Sequence, residues 1–178
     1  MAAREYWEKK GKKILSHVKL LPQTNITEDE IFNILSKKLD TSNGIGIDEV
    51  NLGRWDRNQG KIFVNVLRKI RKRYPNKIIA VWCAGSWNKD NAYILVAIRD
   101  YADMYLPEIY ISQSYARKHG LSRFRNRVMN DEAIAPGITK KMIIGLGMYP
   151  AMADDLSENF IDHLSDQIKL LGTDPTFK

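Results

Sequence analysis

The sequence predicts an α/β chain built of parallel β-strand/α-helix units of a TIM-type barrel, incomplete, with about five of eight strands present. Three observations carry this. Short apolar runs rich in Ile, Val and Leu alternate with longer amphipathic stretches, as parallel strands alternate with crossover helices. Helix exits carry turn punctuation, Pro75–Asn76 before the third run and Pro136–Gly137 before the fifth. Ionisable residues follow apolar strand bodies at Asp48–Glu49 and Glu108–Tyr110, where the ends of parallel strands converge on one crevice.

The elements follow in order. The chain starts in a helical segment, EYWEKKGKK, and the first strand is Lys13–Val18. Thr27–Leu39 opens with a T-E-D-E cap and sets Ile31, Ile34 and Leu35 on one helical face. Gly44–Val50 (GIGIDEV) is the second strand, and Gln59–Tyr74 is a helix with Ile62, Val66, Leu67 and Ile70 apolar. Ile78–Ala84 (IIAVWCA) is the third strand, Asn91–Tyr101 a helix, and Ala102–Ile111 the fourth strand. Ser112–Thr139 is longer and less regular, with helical pieces at Tyr115–His119 and Leu121–Asn130. Met142–Tyr149 is the fifth strand and Asp154–Leu171 the last helix, with Phe160, Ile161, Leu164, Ile168 and Leu171 apolar. The ending GTDPTFK reads as the approach to a further strand. Five strands flanked by helix suit either an open doubly wound sheet or part of an eight-strand barrel, in a single domain over residues 1–178.

Composition bounds the function. A chain of 178 residues, 44% hydrophobic and 28% charged, can bury one core and is unlike a disordered or fibrous chain. Its formal charge of +7 permits attraction to nucleic acid or an anionic surface without demanding it. The basic residues gather in Lys61–Arg73 and Arg117–Arg127, both helical, where solvated outer faces are expected, and aromatic residues are not interleaved as a stacking platform. Nucleic acid is therefore not expected as a partner. Cys83 is the only cysteine, so no internal disulfide forms, and without a nearby His it is a poor nucleophile candidate. The opening MAAREYWEKKGKK lacks the apolar centre of a signal peptide, and no run approaches a membrane span. Localisation stays open: cytoplasmic as given, exported if a missing N-terminal part carries a signal. No H-x-H, H-E-x-x-H or C-x-x-C occurs, and Gly145 and Gly147 lack the third glycine of a nucleotide loop, so neither metal nor cofactor is expected.

Alternation along the strands selects the site. If Ile45 and Ile47 face the helices, Gly46 and Asp48 face the barrel axis; Glu49 lies at the rim, where alternation weakens. By the same rule Glu108 and Tyr110 share the inward face. Asp48 and Glu108 lie on strands separated by one other, roughly 10 Å apart at the backbone, within reach of the about 5–10 Å that carboxyl pairs span across a glycosidic bond. Asp48, Glu49, Glu108 and Tyr110 are thus the catalytic candidates. The bland alternative is that Asp48 and Glu108 pair with Arg or Lys and close a barrel layer. Trp82 and Trp55 are candidates for stacking on sugar rings, although aromatic residues are also common packing. His17 is a hydrogen-bond donor for the same pocket, and Tyr149, closing the fifth run, joins the substrate-binding set. His119 and His163 fall on helices and are expected to be exposed.

At these residues the chain resembles the glycoside-hydrolase barrels, and in pattern the chitinase-like family eighteen. GIGIDEV is similar to that family's acidic fourth strand, ADMYLPEIY to its sixth, and ITKKMIIGLGMYP to its seventh, in order over roughly Asn43–Pro150. The resemblance matches Asp48 to the last aspartate of the acidic motif and Tyr110 to the inward tyrosine of the sixth strand. Glu108 stands where the family has methionine, and the catalytic acid's position falls on Val50. The resemblance thus implies a polysaccharide or glycoconjugate substrate, with Glu49 or Glu108 in the acid's place and strands outside the chain supplied by the remainder of the barrel or an oligomer partner. A non-catalytic carbohydrate-binding barrel and a basic nucleic-acid or anionic-surface binder are the alternatives.

Overall fold

The second and third apolar runs, most of the first and the middle of the fourth form parallel strands. The computed structural model describes residues 3–20, 26–51, 55–146 and 160–177. Strands β1 (Leu15–Lys19), β2 (Gly44–Asn51), β3 (Ile78–Ala84) and β4 (Met104–Pro107) make one sheet in the order β1-β2-β3-β4, every pair parallel. A doubly wound sheet reverses direction at a switch point. Here each strand lies beside its sequence neighbour, without reversal, and the sheet is open.

The connecting helices are α2 (Glu28–Asp40), α3 (Arg57–Arg73) and α4 (Ala92–Tyr101), preceded by α1 (Ala3–Lys9). Steric preference makes such crossovers right-handed, which lays successive helices on one face of the sheet; accordingly α2 packs on α3 and α3 on α4. Two of them begin with a complete capping box. Thr27 accepts from the Glu30 N–H while the Glu30 carboxylate takes the Thr27 N–H, and Asp56 and Gln59 repeat the arrangement on α3. At Gly60 a Cβ would stand 2.2 Å from the Tyr93 hydroxyl, so the missing side chain is what lets α4 approach α3.

The core lies between sheet and helices. Ile45, Ile47, Val50, Ile79, Val81, Cys83 and Tyr105 meet Leu35, Leu39, Phe63, Val66, Leu67, Ile70, Leu95 and Ile98, all essentially inaccessible. Burying each aliphatic side chain contributes about 1.5–3 kcal/mol. At the opposite, amino end of the strands, Arg71 links the elements: it donates to Asp103 Oδ2 at 2.6 Å and to the Tyr101 carbonyl at 2.8 Å, and Asp103 also accepts the Ile79 N–H.

Two expectations about strands need correction. The fourth is four residues long rather than Ala102–Ile111, because Pro107 cannot donate to a ladder and residues 109–112 leave the sheet. The expected fifth strand Met142–Tyr149 reduces to one parallel bridge, Tyr105 with Met142, supported by an Ile143 N–H bond to the Tyr105 carbonyl at 2.8 Å. Residues 143–146 are irregular, and 147–150 lie outside the described residues. Among the described residues the sheet therefore has four strands rather than five. The insertion supplies α5 (Gln113–His119) and α6 (Ser122–Ile134), followed by a 3-10 turn (Ile138–Lys141); the last helix, α7, is described over Phe160–Thr173.

Candidate functional site

The face of the sheet away from the helices carries the candidate residues. Register sets His17, Gly46, Ala80 and Met104 side by side across the four strands, with Trp82 beside Leu106 two residues further along. Gly46 and Ala80 are small, and a Cβ on Gly46 would meet nothing within 4 Å. They leave a hollow of about 490 Å³, lined by His17, Gly46, Asp48, Glu49, Ala80, Trp82, Leu106, Glu108 and Tyr110, with Leu15 and Ile47 at its edge. Asp48, Glu108 and Tyr110, expected to point inward, and the strand-end candidates Trp82 and His17 therefore meet in one cavity.

Glu49 joins them through a bulge. Between the Ile47–Val81 and Val50–Cys83 pairs, β2 advances three residues while β3 advances two. The extra residue is absorbed at Glu49, whose φ of 55° is left-handed, a conformation that costs a non-glycine residue about 1–3 kcal/mol. The bulge resets alternation: Val50, which a regular strand would point inward, is fully buried on the helix side. Its N–H bound to Asp48 Oδ1 at 2.8 Å, Glu49 lines the cavity beside Asp48.

The three carboxylates differ in partners. Asp48 Oδ2 is 2.9 Å from His17 Nε2, and Glu49 is 2.7 Å from Lys19 Nζ. Glu108 has no cation within ion-pairing distance among the described residues. Burial raises its carboxyl above the ordinary glutamic range, and the negative charges of Asp48 and Glu49 push it the same way. The Trp82 indole N–H opposes the rise; it is buried and makes no hydrogen bond of ordinary length. The arrangement sets one carboxyl raised by burial beside two that each have a basic side chain within ion-pairing distance, the kind of contrast that an acid and a base in one pocket require.

A second hollow of about 560 Å³ shares Glu108 and Tyr110 with the first and continues over Ser86, Trp87, Arg123, Asn126, Arg127 and Asn130. Beneath it lies a network that the sequence did not disclose. Tyr105 donates to Asp131 Oδ2 at 2.7 Å and accepts from Trp87 Nε1 at 2.9 Å and Arg127 Nη2 at 2.7 Å; Arg127 Nε also reaches Asp131 Oδ2 at 2.7 Å. Burial raises both the Tyr105 hydroxyl and the Asp131 carboxyl above their usual ranges. Arg127 was expected on a solvated face; its side chain is only 11% exposed because Asp131, one helical turn on, compensates its charge inside the protein. The i, i+4 spacing of Arg127 and Asp131 was the available signal.

Other candidates fall elsewhere. Trp55 packs edge-on against Phe63, with ring centroids 5.3 Å apart, and lines a separate small hollow with Tyr93, away from the acids. Tyr149 lies outside the described residues. His163, expected to be exposed, is 2% exposed, its Nε2 3.0 Å from the Ile111 carbonyl, because α7 turns His163 and Gln167 inward while Ile161 and Ile168, expected on its apolar face, are exposed. Cys83 is buried and its thiol is pushed far up by desolvation, so the reactive thiolate is disfavoured. Among the described residues no cluster of three or more His, Cys, Asp and Glu side chains is placed to hold a metal ion, and no helix is long and apolar enough to cross a membrane.

Fold and site together define an open parallel α/β protein with an acid-lined cleft at the carboxyl ends of its strands. Compared with known protein families and with curated proteins, the chain matches none.

Proposed function

We propose that this chain is part of a (β/α)-barrel glycoside hydrolase that cleaves a polysaccharide or glycoconjugate, with the missing barrel wall supplied by further chain or by an oligomer partner. One observation carries the reading: Glu108, its carboxyl raised by burial and with no cation within ion-pairing distance among the described residues, shares a cavity with Asp48 and Glu49, over a floor kept open by Gly46 and Ala80. Glu108 acts as the general acid and protonates the leaving glycosidic oxygen. Asp48 or Glu49 serves as nucleophile or activates water. Tyr110 orients the reacting sugar, Trp82 stacks on it, and His17 holds Asp48 in place by its hydrogen bond. The likeness of GIGIDEV and ADMYLPEIY to chitinase-like barrel strands supports the substrate class.

The test is the release of new reducing ends from a panel of polysaccharides and aryl glycosides. Glu108→Gln, isosteric but unable to donate a proton as the acid does, is expected to lower turnover at least about 100-fold, the usual contribution of a general acid, with its melting temperature preserved. Turnover equal to that of the unaltered protein would remove Glu108 from the mechanism.

A second reading, a carbohydrate-binding barrel without hydrolysis, is favoured by the burial of Val50 at the place of the family's catalytic acid and by the pairing of Asp48 with His17 and Glu49 with Lys19. Sugar binding with no product, in the chain together with its missing wall, distinguishes it.

A further inference from the structure

The second hollow differs in character from the first. Its α6 side presents Arg123, Asn126, Arg127 and Asn130, at i, i+3, i+4 and i+7, as one stripe facing Glu108 and Tyr110. The two guanidinium groups in that stripe have different surroundings. Arg127 is held by Asp131, and Arg125, on another face of α6, by Asp174. Arg123 is exposed, has no carboxylate within ion-pairing distance among the described residues, and is positioned instead by neutral groups: its Nη1 donates to the Tyr110 carbonyl at 3.1 Å, and its guanidinium lies 5.9 Å from the Tyr115 ring centre. A carbonyl and an aromatic face fix the direction of the guanidinium without neutralising it. Its remaining N–H donors are thus available to an anion, and a planar fork of donors suits the oxygens of a carboxylate or a sulfate. Amide side chains at Asn126 and Asn130 add neutral donors along the same wall.

The two hollows meet at Glu108 and Tyr110, so a chain of sugars seated against the acid would run into the second hollow. We propose that this second hollow is a subsite for an anionic sugar residue, bearing a carboxylate or a sulfate ester, with Arg123 as its counter-charge and Asn126 and Asn130 as supporting donors. The proposal rests on the glycan reading above and specifies the substrate class within it.

The experiment measures affinities of the full chain, by calorimetry at low salt, for glucuronate-, galacturonate- and mannuronate-containing tetrasaccharides. Each is compared with its carboxyl-reduced twin, and sulfated neutral tetrasaccharides form a separate arm. At least one acidic or sulfated member should bind about tenfold or more tightly than its uncharged twin, in keeping with a charge-assisted hydrogen bond. The arm in which the preference appears identifies carboxylate or sulfate. Arg123→Gln should abolish the preference while leaving the uncharged twin's affinity unchanged; because Arg123 is exposed, folding should be unaffected. Equal binding of charged and uncharged twins to the unaltered protein would overturn the inference and leave the glycan reading standing. A preference that survives Arg123→Gln would also overturn it. Absence of binding by every sugar would overturn both.

Discussion

Glu49 and Gly46 show how single residues shape this cleft. A left-handed φ at Glu49 is the device that brings two consecutive residues, Asp48 and Glu49, to the same cavity, where a regular strand would turn one of them away. Gly46 does the reverse: by lacking a side chain it keeps the floor empty, and nothing stands within 4 Å of the Cβ it does not have. Glycine weakens a strand interior, whereas a β-branched residue fits it. Gly46→Val should therefore leave the melting temperature equal or raised, by the equivalent of up to about 1 kcal/mol, while filling the cavity and lowering oligosaccharide affinity at least tenfold. A thermal melt and a binding titration on the same sample check both halves. Unchanged affinity would mean that ligands do not use this floor. Alternation in the sequence pointed Asp48, Glu108 and Tyr110 inward, and position at the ends of their strands picked out Trp82 and His17, all of which line one cavity. It could not place Glu49 or Val50, because a bulge without glycine leaves no mark in the pattern of apolar and polar residues.

Polar contacts tie helix α6 to the sheet. It docks beside β4 through Arg127 and Asp131, and the carboxylate is wholly buried. Removing one member of a buried pair leaves an uncompensated charge, which costs about 3–5 kcal/mol. Arg127→Ala is expected to lower stability by about 3 kcal/mol in urea unfolding, and Arg127→Met combined with Asp131→Leu should recover most of that loss. A single Arg127→Ala variant as stable as the unaltered protein would show that the network contributes nothing. The elements themselves were legible to different depths. Helices α2, α3 and α4 followed from amphipathic spacing and punctuation, and the T-E-D-E cap marked the start of α2. The start of α3 was read two residues late because Asp56, its N-cap, and Arg57–Asn58, its first turn, read as loop. The apolar run after Lys141 looked like a strand, since periodicity registers hydrophobicity and not pairing; in the fold it has one bridge to β4. A buried Arg–Asp pair inside a basic segment is indistinguishable in composition from a solvated charged face.

At the scale of the whole molecule, helices cover one face of a four-strand parallel sheet, while the face opposite carries the acids and a cleft open at one side. Strands in sequential order without a switch point share the strand order of a barrel wall, which is why the proposal includes the rest of that wall. Its central claim is that burial and the neighbouring carboxylates hold the Glu108 carboxyl above the ordinary glutamic range, as a general acid requires, and this can be tested without knowing the substrate. Because Glu108 titrates higher folded than unfolded, the protonated form contributes stability that is fully present below the ordinary glutamic range and lost as pH rises through the raised value. Glu108→Gln should therefore flatten the fall in stability on the alkaline side of that range. The most direct measurement is an NMR titration of the side-chain carboxyl of Glu108 in the folded protein, repeated in Asp48→Asn/Glu49→Gln. The account predicts a midpoint above the ordinary value of about 4.3 that moves down when the two neighbouring charges are removed; a midpoint at or below that value, unmoved by the double substitution, would contradict it.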